Sequence, residues 1–175
     1  MGGIPADATV QAAYLFWSGT LNPPGGSCAG SSGPTAPDTT VTLTLPSGGS
    51  SSVTSEIGCG PYVIPGGGAC NPRFYYCRGN VTAAVAAQAS GFNGAYTLSG
   101  FEADVADLVD SNGDGQADTC ASFDPLCQAK YGSWSLVIVY ASATAAAARH
   151  VDLLDGYNLL AHRDGPGGST ATLAV

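Results

Sequence analysis

Residues 41–57, VTLTLPSGGSSSVTSEI, place Val41, Leu43 and Leu45 in strict alternation with Thr42 and Thr44. Successive side chains on a strand point to opposite faces, so this stretch carries one apolar and one polar face, as a half-buried antiparallel strand does. Pro46-Ser47-Gly48-Gly49 follows at once and predicts a turn that brings the chain back along residues 52–57 as the second arm of a hairpin.

Strand-like runs recur on both sides of that hairpin. Upstream, residues 10–17 (VQAAYLFW) are apolar and aromatic between turn-forming flanks, the profile of a largely buried strand. Residues 19–40 are dense in Gly, Pro and Ser and predict an irregular excursion tethered by Cys28. Downstream, residues 58–72 form a second Gly/Pro-rich loop around Tyr62-Val63-Ile64, and residues 73–77 (RFYYC) read as an aromatic strand or edge segment. One helix is expected, with Asn80 as N-cap, Val81 and Val85 four apart, and an Ala-rich run to Ala89 ended by Ser90-Gly91. Tyr96, Leu98 and Phe101 resume a strand, and residues 102–108 read as one or two helical turns. Residues 134–140 (WSLVIVY) are apolar on both alternating faces. They predict a central strand covered on each side, with Trp134, Leu136, Val137 and Ile138 deep in the core. Strands at 150–154, 158–161 and 170–175 complete the reading. Short strands separated by turn signals predict a mostly β fold, an antiparallel β-sandwich or jelly roll with one short helix and long disulfide-tethered loops. Residues 1–175 read as a single module with an insertion at about 102–130.

Composition agrees and narrows the function. Gly contributes 25 residues and Pro 11, while charged residues are only 10%, too few for the solvated faces of long helices. The net charge is −8, with 13 acidic residues against five basic ones, which leaves almost nothing from which to build a phosphate-tracking groove. Nucleic acid is therefore not expected as a partner, and an anionic membrane surface is disfavoured for the same electrostatic reason. No apolar run is long enough to span a bilayer, so direct membrane insertion is excluded as well. Met1 is followed by Gly-Gly-Ile-Pro rather than by basic residues and an apolar core, so the chain reads as a mature fragment.

Six cysteines, Cys28, Cys59, Cys70, Cys77, Cys120 and Cys127, form an even set in loop-like settings, with neither CxxC nor a Cys/His cluster at zinc spacing. They read as disulfides from an oxidising compartment. About 15 pairings are open to six cysteines. Short-loop geometry favours Cys70 with Cys77 and Cys120 with Cys127, which leaves Cys28 for Cys59.

The acidic residues are unevenly placed. Glu102, Asp104, Asp107, Asp110, Asp114, Asp118 and Asp124 lie in one segment without Lys or Arg, and such a concentration repels itself unless a cation sits in it. Within it, Asp110-Ser-Asn112-Gly-Asp114-Gly-Gln116-Ala-Asp118 has the spacing of a calcium loop. Oxygens of Asp110, Asn112 and Asp114 converge, Gly115 permits the sharp turn, Gln116 offers its backbone carbonyl, and Asp118 ligates directly or through water. The pattern resembles the loops of EF-hands, dockerins and thrombospondin type 3 repeats. Ala121 stands where an EF-hand has its bidentate Glu, so Asp124, Asp107, Glu102 or waters have to complete the shell. The alternative is a pair of ordinary Asn-Gly and Asp-Gly turns with solvated acids. An all-oxygen donor set selects Ca²⁺ over zinc or copper.

The remaining signals are weaker. His150 and His162 with Asp152, Asp155 and Asp164 lack any G-x-S-x-G nucleophile elbow to make a triad of them. The acidic cluster could supply paired carboxylates for glycoside hydrolysis, but calcium explains its spacing better. Tyr14, Trp17, Tyr62, Phe74, Tyr75, Tyr76 and Trp134 could line a sugar platform, though most are expected in the core. Asn80-Val81-Thr82 is a glycosylation sequon.

Residues 10–19 (VQAAYLFWSG), 80–98 (NVTAAVAAQASGFNGAYTL) and 131–157 (YGSWSLVIVY through VDLLDGY) resemble, in the same order, segments of adhesin-like β-sandwich modules from large bacterial cell-surface and secreted proteins. Those modules carry AYLYWSG, DVTALV…GTYTV and GWSLVVVY…VFDGF at these places. The resemblance implies a non-catalytic module, secreted or on the bacterial surface. The calcium loop lies in an insertion between the second and third segments and is not implied by it. The expected function is structural or adhesive, stabilised by Ca²⁺ and disulfides. Copies of the chain, neighbouring surface domains and glycans are the candidate partners, and self-assembly into a fibre is compatible with so uncharged a β-surface. The alternative is a carbohydrate-binding module or glycan-active enzyme domain, which a coplanar exposed strip of Trp17, Tyr62 and Tyr75 would favour.

Overall fold

A computed structural model describes residues 3–21, 34–63, 73–89, 91–102 and 132–144 of the chain. Its elements are β1 (Thr9–Leu21), β2 (Thr40–Thr44), β3 (Ser50–Thr54), β4 (Tyr62–Val63), β5 (Arg73–Asn80), α1 (Thr82–Ala86), β6 (Thr97–Ser99) and β7 (Gly132–Ala141). They make two antiparallel sheets, one ordered β4-β5-β1-β7 and the other β3-β2-β6. The mostly β, antiparallel fold read from the sequence is the fold observed.

The hairpin at 41–57 forms as its alternation requires. Val41 pairs with Val53 and Leu43 with Ser51, while the Thr side chains between them face outward. Leu45 N–H donates to Gly49 O at 2.8 Å and Gly48 N–H to Leu45 O at 2.9 Å, with Gly48 at φ 85°, a left-handed conformation that glycine adopts without a Cβ clash. Leu43 also pairs with Leu98 of β6, so β2 is the middle strand of its sheet.

The two sheets share one core. Ala13, Leu15, Trp17 and Leu21 alternate along the inner face of β1, Tyr75 and Cys77 face them from β5, and Val41, Leu43 and Val53 close the core from the second sheet. Val81 and Val85 of the α1 segment cap one end, where Val81 N–H donates to Ala13 O at 2.9 Å. The helix is a short turn from Thr82 to Ala86 rather than a run to Ala89, and Val81, not Asn80, holds the N-cap place without a side-chain cap. Asn80 serves the turn differently, accepting from Thr82 N–H through Oδ1 at 2.9 Å.

Two expectations are corrected. Among the described residues β7 pairs with β1 alone, and the strands bonded on both edges of this sheet are β1 and β5. Leu136 and Ile138 are half-buried against the core and Val137 is half-buried, but Trp134 is 39% and Tyr140 40% exposed. An apolar run of this length fits a half-covered strand as well as a central one, because periodicity reports which faces are apolar and not which edges are bonded. The disulfide pairing also differs: Cys59 joins Cys77, with Cα atoms 4.7 Å apart, so neither the Cys28–Cys59 nor the Cys70–Cys77 pairing forms. Cys77 is turned into the core by its place on β5, and Tyr76 N–H donates to Cys59 O at 3.4 Å, which lays residue 59 alongside that strand. The loop before β4 lies along β5 and brings these two together where chain proximity favoured other partners. Cys28, Cys70, Cys120 and Cys127 lie outside the described residues, as do the strands expected at 150–154, 158–161 and 170–175.

Candidate functional site

The predicted calcium ligands Asp110, Asn112, Asp114, Gln116 and Asp118 lie outside the described residues, with Asp104, Asp107, Asp124, His150 and His162. Among the described residues no group of three or more His, Cys, Asp or Glu could hold a metal ion. The start of the acidic segment is described: Glu102 is exposed, and its backbone is tied to Asp38 and Tyr75. Glu102 N–H donates to Asp38 Oδ2 at 2.6 Å, and the Tyr75 hydroxyl donates to Glu102 O at 2.7 Å while lying 3.3 Å from the same Asp38 oxygen. Asp38 also accepts through its backbone carbonyl from Trp17 Nε1 at 2.7 Å. Burial, and then the negative charge of Asp38 and Glu102, push the Tyr75 phenol well above its ordinary value, so it stays a neutral donor. One aspartate in a Pro-flanked loop thus ties β1, β5 and the base of the acidic segment together. No spacing pattern in the sequence singles it out.

A second polar cluster fastens β7 to the N-terminal segment. The Ser142 hydroxyl lies 3.0 Å from both Asp7 oxygens, Thr144 N–H donates to Oδ2 at 3.2 Å, and Thr144 Oγ1 lies 3.2 Å from Oδ1. Burial alone would raise the Asp7 carboxyl, but the hydrogen bonds from Ser142 and Thr144 more than offset it and hold the group below its usual value.

The aromatic residues divide by face. Trp17 and Tyr75 are in the core, at 1% and 0% exposure, and do not form an exposed strip; the Tyr62 side chain lies outside the description. The opposite, outward face of the same sheet carries Tyr14, Phe16 and Ser18 on β1, with Tyr76 and Arg78 on β5 and Ser133 and Ser135 on β7. Phe16 and Tyr76 stack with centroids 6.1 Å apart and planes 23° apart. Arg78 sits over the Tyr14 ring at 5.5 Å and 3.8 Å from Glu56 Oε2. The Ser18 and Ser133 hydroxyls are hydrogen-bonded at 3.0 Å. A shallow groove of about 190 Å³ runs over the three strands here, lined by Phe16, Trp17, Ser18, Tyr76, Ser133, Trp134 and Ser135. Of its lining only Trp17, Tyr76 and Trp134 were weighed in the sequence as sugar-facing. The serines are invisible without the register that sets them beside Phe16.

No protein-family model matches the chain, and no curated protein or solved structure matches it.

Proposed function

We propose that the chain is a non-catalytic structural or adhesive module that works outside the cell, secreted or on the bacterial surface, held rigid by disulfides and by Ca²⁺, and set among neighbouring surface domains or copies of itself. The observation that carries this reading is the Cys59–Cys77 bridge, whose two residues are 5% and 0% exposed at the heart of the sandwich. A fully buried bridge packed under Trp17 is a structural one, and such bridges persist in oxidising compartments. The resemblance of residues 10–19, 80–98 and 131–157 to bacterial surface modules points the same way. The Asp38–Tyr75 clamp supports the calcium part. It fixes the start of a segment holding seven carboxylates and no cation, where a bound ion would relieve their mutual repulsion.

A thermal melt in chelator, calcium and magnesium tests the reading. Calcium bound to the folded form alone stabilises it by about 2.7 kcal/mol at a free concentration 100 times the Kd, so Tm rises with calcium. Magnesium, which keeps its waters and demands octahedral geometry, acts far less. Asp110→Ala and Asp114→Ala abolish the calcium response. Identical melts in chelator and millimolar calcium, with no heat of binding, would refute calcium as the stabilising ion.

A further inference from the structure

We infer that the groove on the outer face of β5, β1 and β7 binds one pyranose unit of a neutral glycan. The inference rests on the groove's own chemistry and not on calcium. A pyranose has an apolar C–H face, which packs on flat rings, and a rim of hydroxyls that both donate and accept. The groove offers that pair of surfaces side by side. Phe16 and Tyr76 give near-parallel rings 6.1 Å apart, and beside them Ser18 and Ser133, hydrogen-bonded to each other, line the same groove with Ser135. Register makes the juxtaposition obligatory, because Phe16 pairs with Ser135 on one edge while Ser18 pairs with Tyr76 on the other and with Ser133.

Size and charge select the occupant. About 190 Å³ is below the range of drug-sized pockets, at roughly 300–1,000 Å³, and suits a single ring of a longer chain. Among the described residues neither a carboxylate nor a cation lines the groove, and the Arg78 guanidinium on the same sheet face is engaged over Tyr14 and near Glu56. An anionic glycan would find no counter-charge among these residues, and an apolar helix would cover serine hydroxyls whose remaining hydrogen-bonding capacity it cannot use.

The test is a backbone-amide NMR titration of the full, disulfide-intact chain with cello-, chito- and manno-hexaose, with heparin hexasaccharide as the anionic control. The expected result is a saturable shift of residues 16–18 and 133–135 with at least one neutral oligosaccharide and none with heparin. Phe16→Leu, which keeps apolar bulk but loses the flat ring, weakens binding about tenfold. Ser135→Lys, at an exposed position, fills the groove and abolishes binding without moving Tm. No response to any neutral hexaose overturns the proposal, as does binding that survives both substitutions. If the same amides shift on concentrating the protein alone, and sedimentation shows a dimer, a second copy occupies the groove and the glycan assignment is wrong.

Discussion

Adding a single methyl group at Gly79 probes how closely the two sheets approach. Gly79 is buried on β5, paired with Leu15, on the face turned to the second sheet. A Cβ built there would collide with Val53 Cγ1 of β3 and come within 3.3 Å of Thr54 O and 3.4 Å of the Trp17 ring. Val53 is 4% exposed and β-branched, with one strongly preferred rotamer, so it cannot swing aside cheaply. Overpacking of this kind costs about 1–3 kcal/mol. Against it stands the reduced freedom of the unfolded chain, which favours Ala over Gly by about 0.4–1 kcal/mol. Gly79→Ala should therefore destabilise by about 1–2 kcal/mol in urea unfolding with the disulfides intact. The decisive measurement is the double mutant Gly79→Ala/Val53→Ala. Truncating Val53 opens the space the new methyl needs, so the pair should be less damaging than the sum of the singles by about 1 kcal/mol. If Gly79→Ala is neutral or stabilising, or the two changes simply add, the sheets are not in contact at this point and the packing argument fails.

Three further outcomes are expected. Peptide mapping of unreduced protein recovers Cys59 linked to Cys77. Replacing both with Ala costs about 3 kcal/mol for an 18-residue separation, whereas Cys28–Cys59 and Cys70–Cys77 peptides would contradict the fold. Because the folded Tyr75 phenol is raised, its contribution is fully present below the unfolded value of about 10 and is lost as pH rises through the folded value. Ultraviolet titration should accordingly show a tyrosine step that accompanies alkaline unfolding, and Tyr75→Phe should remove that step. The Asp7 carboxyl is depressed, so its stabilising effect is present above the unfolded value of about 4 and disappears as pH falls through the folded one. Asp7→Asn should flatten the acid limb of the Tm profile, and an unchanged limb would mean that the Ser142–Thr144 contacts are not held in solution.

What the sequence revealed and what it concealed follow from the same physics. Alternation is a local property, and it located β2 from Val41, Leu43 and Leu45, whereas the apolar run at 10–17 marked β1 without showing that Leu15 and Trp17 form its inner face. Pairing is not local. Nothing in WSLVIVY says which edges are bonded, and the continuous apolar run suggested a centre where β7 holds only β1 among the described residues. Cysteine proximity along the chain misled for the same reason, since the loop at Cys59 is laid along β5 and reaches Cys77 there. The outward groove was likewise illegible, because Ser133 and Ser135 acquire meaning only when register sets them beside Ser18 and Phe16.

Asp38 shows how a polar residue without any motif can organise a fold. Its carboxylate takes Glu102 N–H, and its carbonyl takes the indole of Trp17. A charge-assisted bond at 2.6 Å beside a fully buried tyrosine is favourable only where each donor has its acceptor, and here the Tyr75 hydroxyl closes the circuit on Glu102 O. The acidic segment therefore leaves the core from a fixed point. Its first carboxylate, Glu102, belongs to a residue whose backbone is bonded on both its N–H and C=O sides. Rigidity at that point comes from the clamp between Asp38, Tyr75 and the Glu102 backbone.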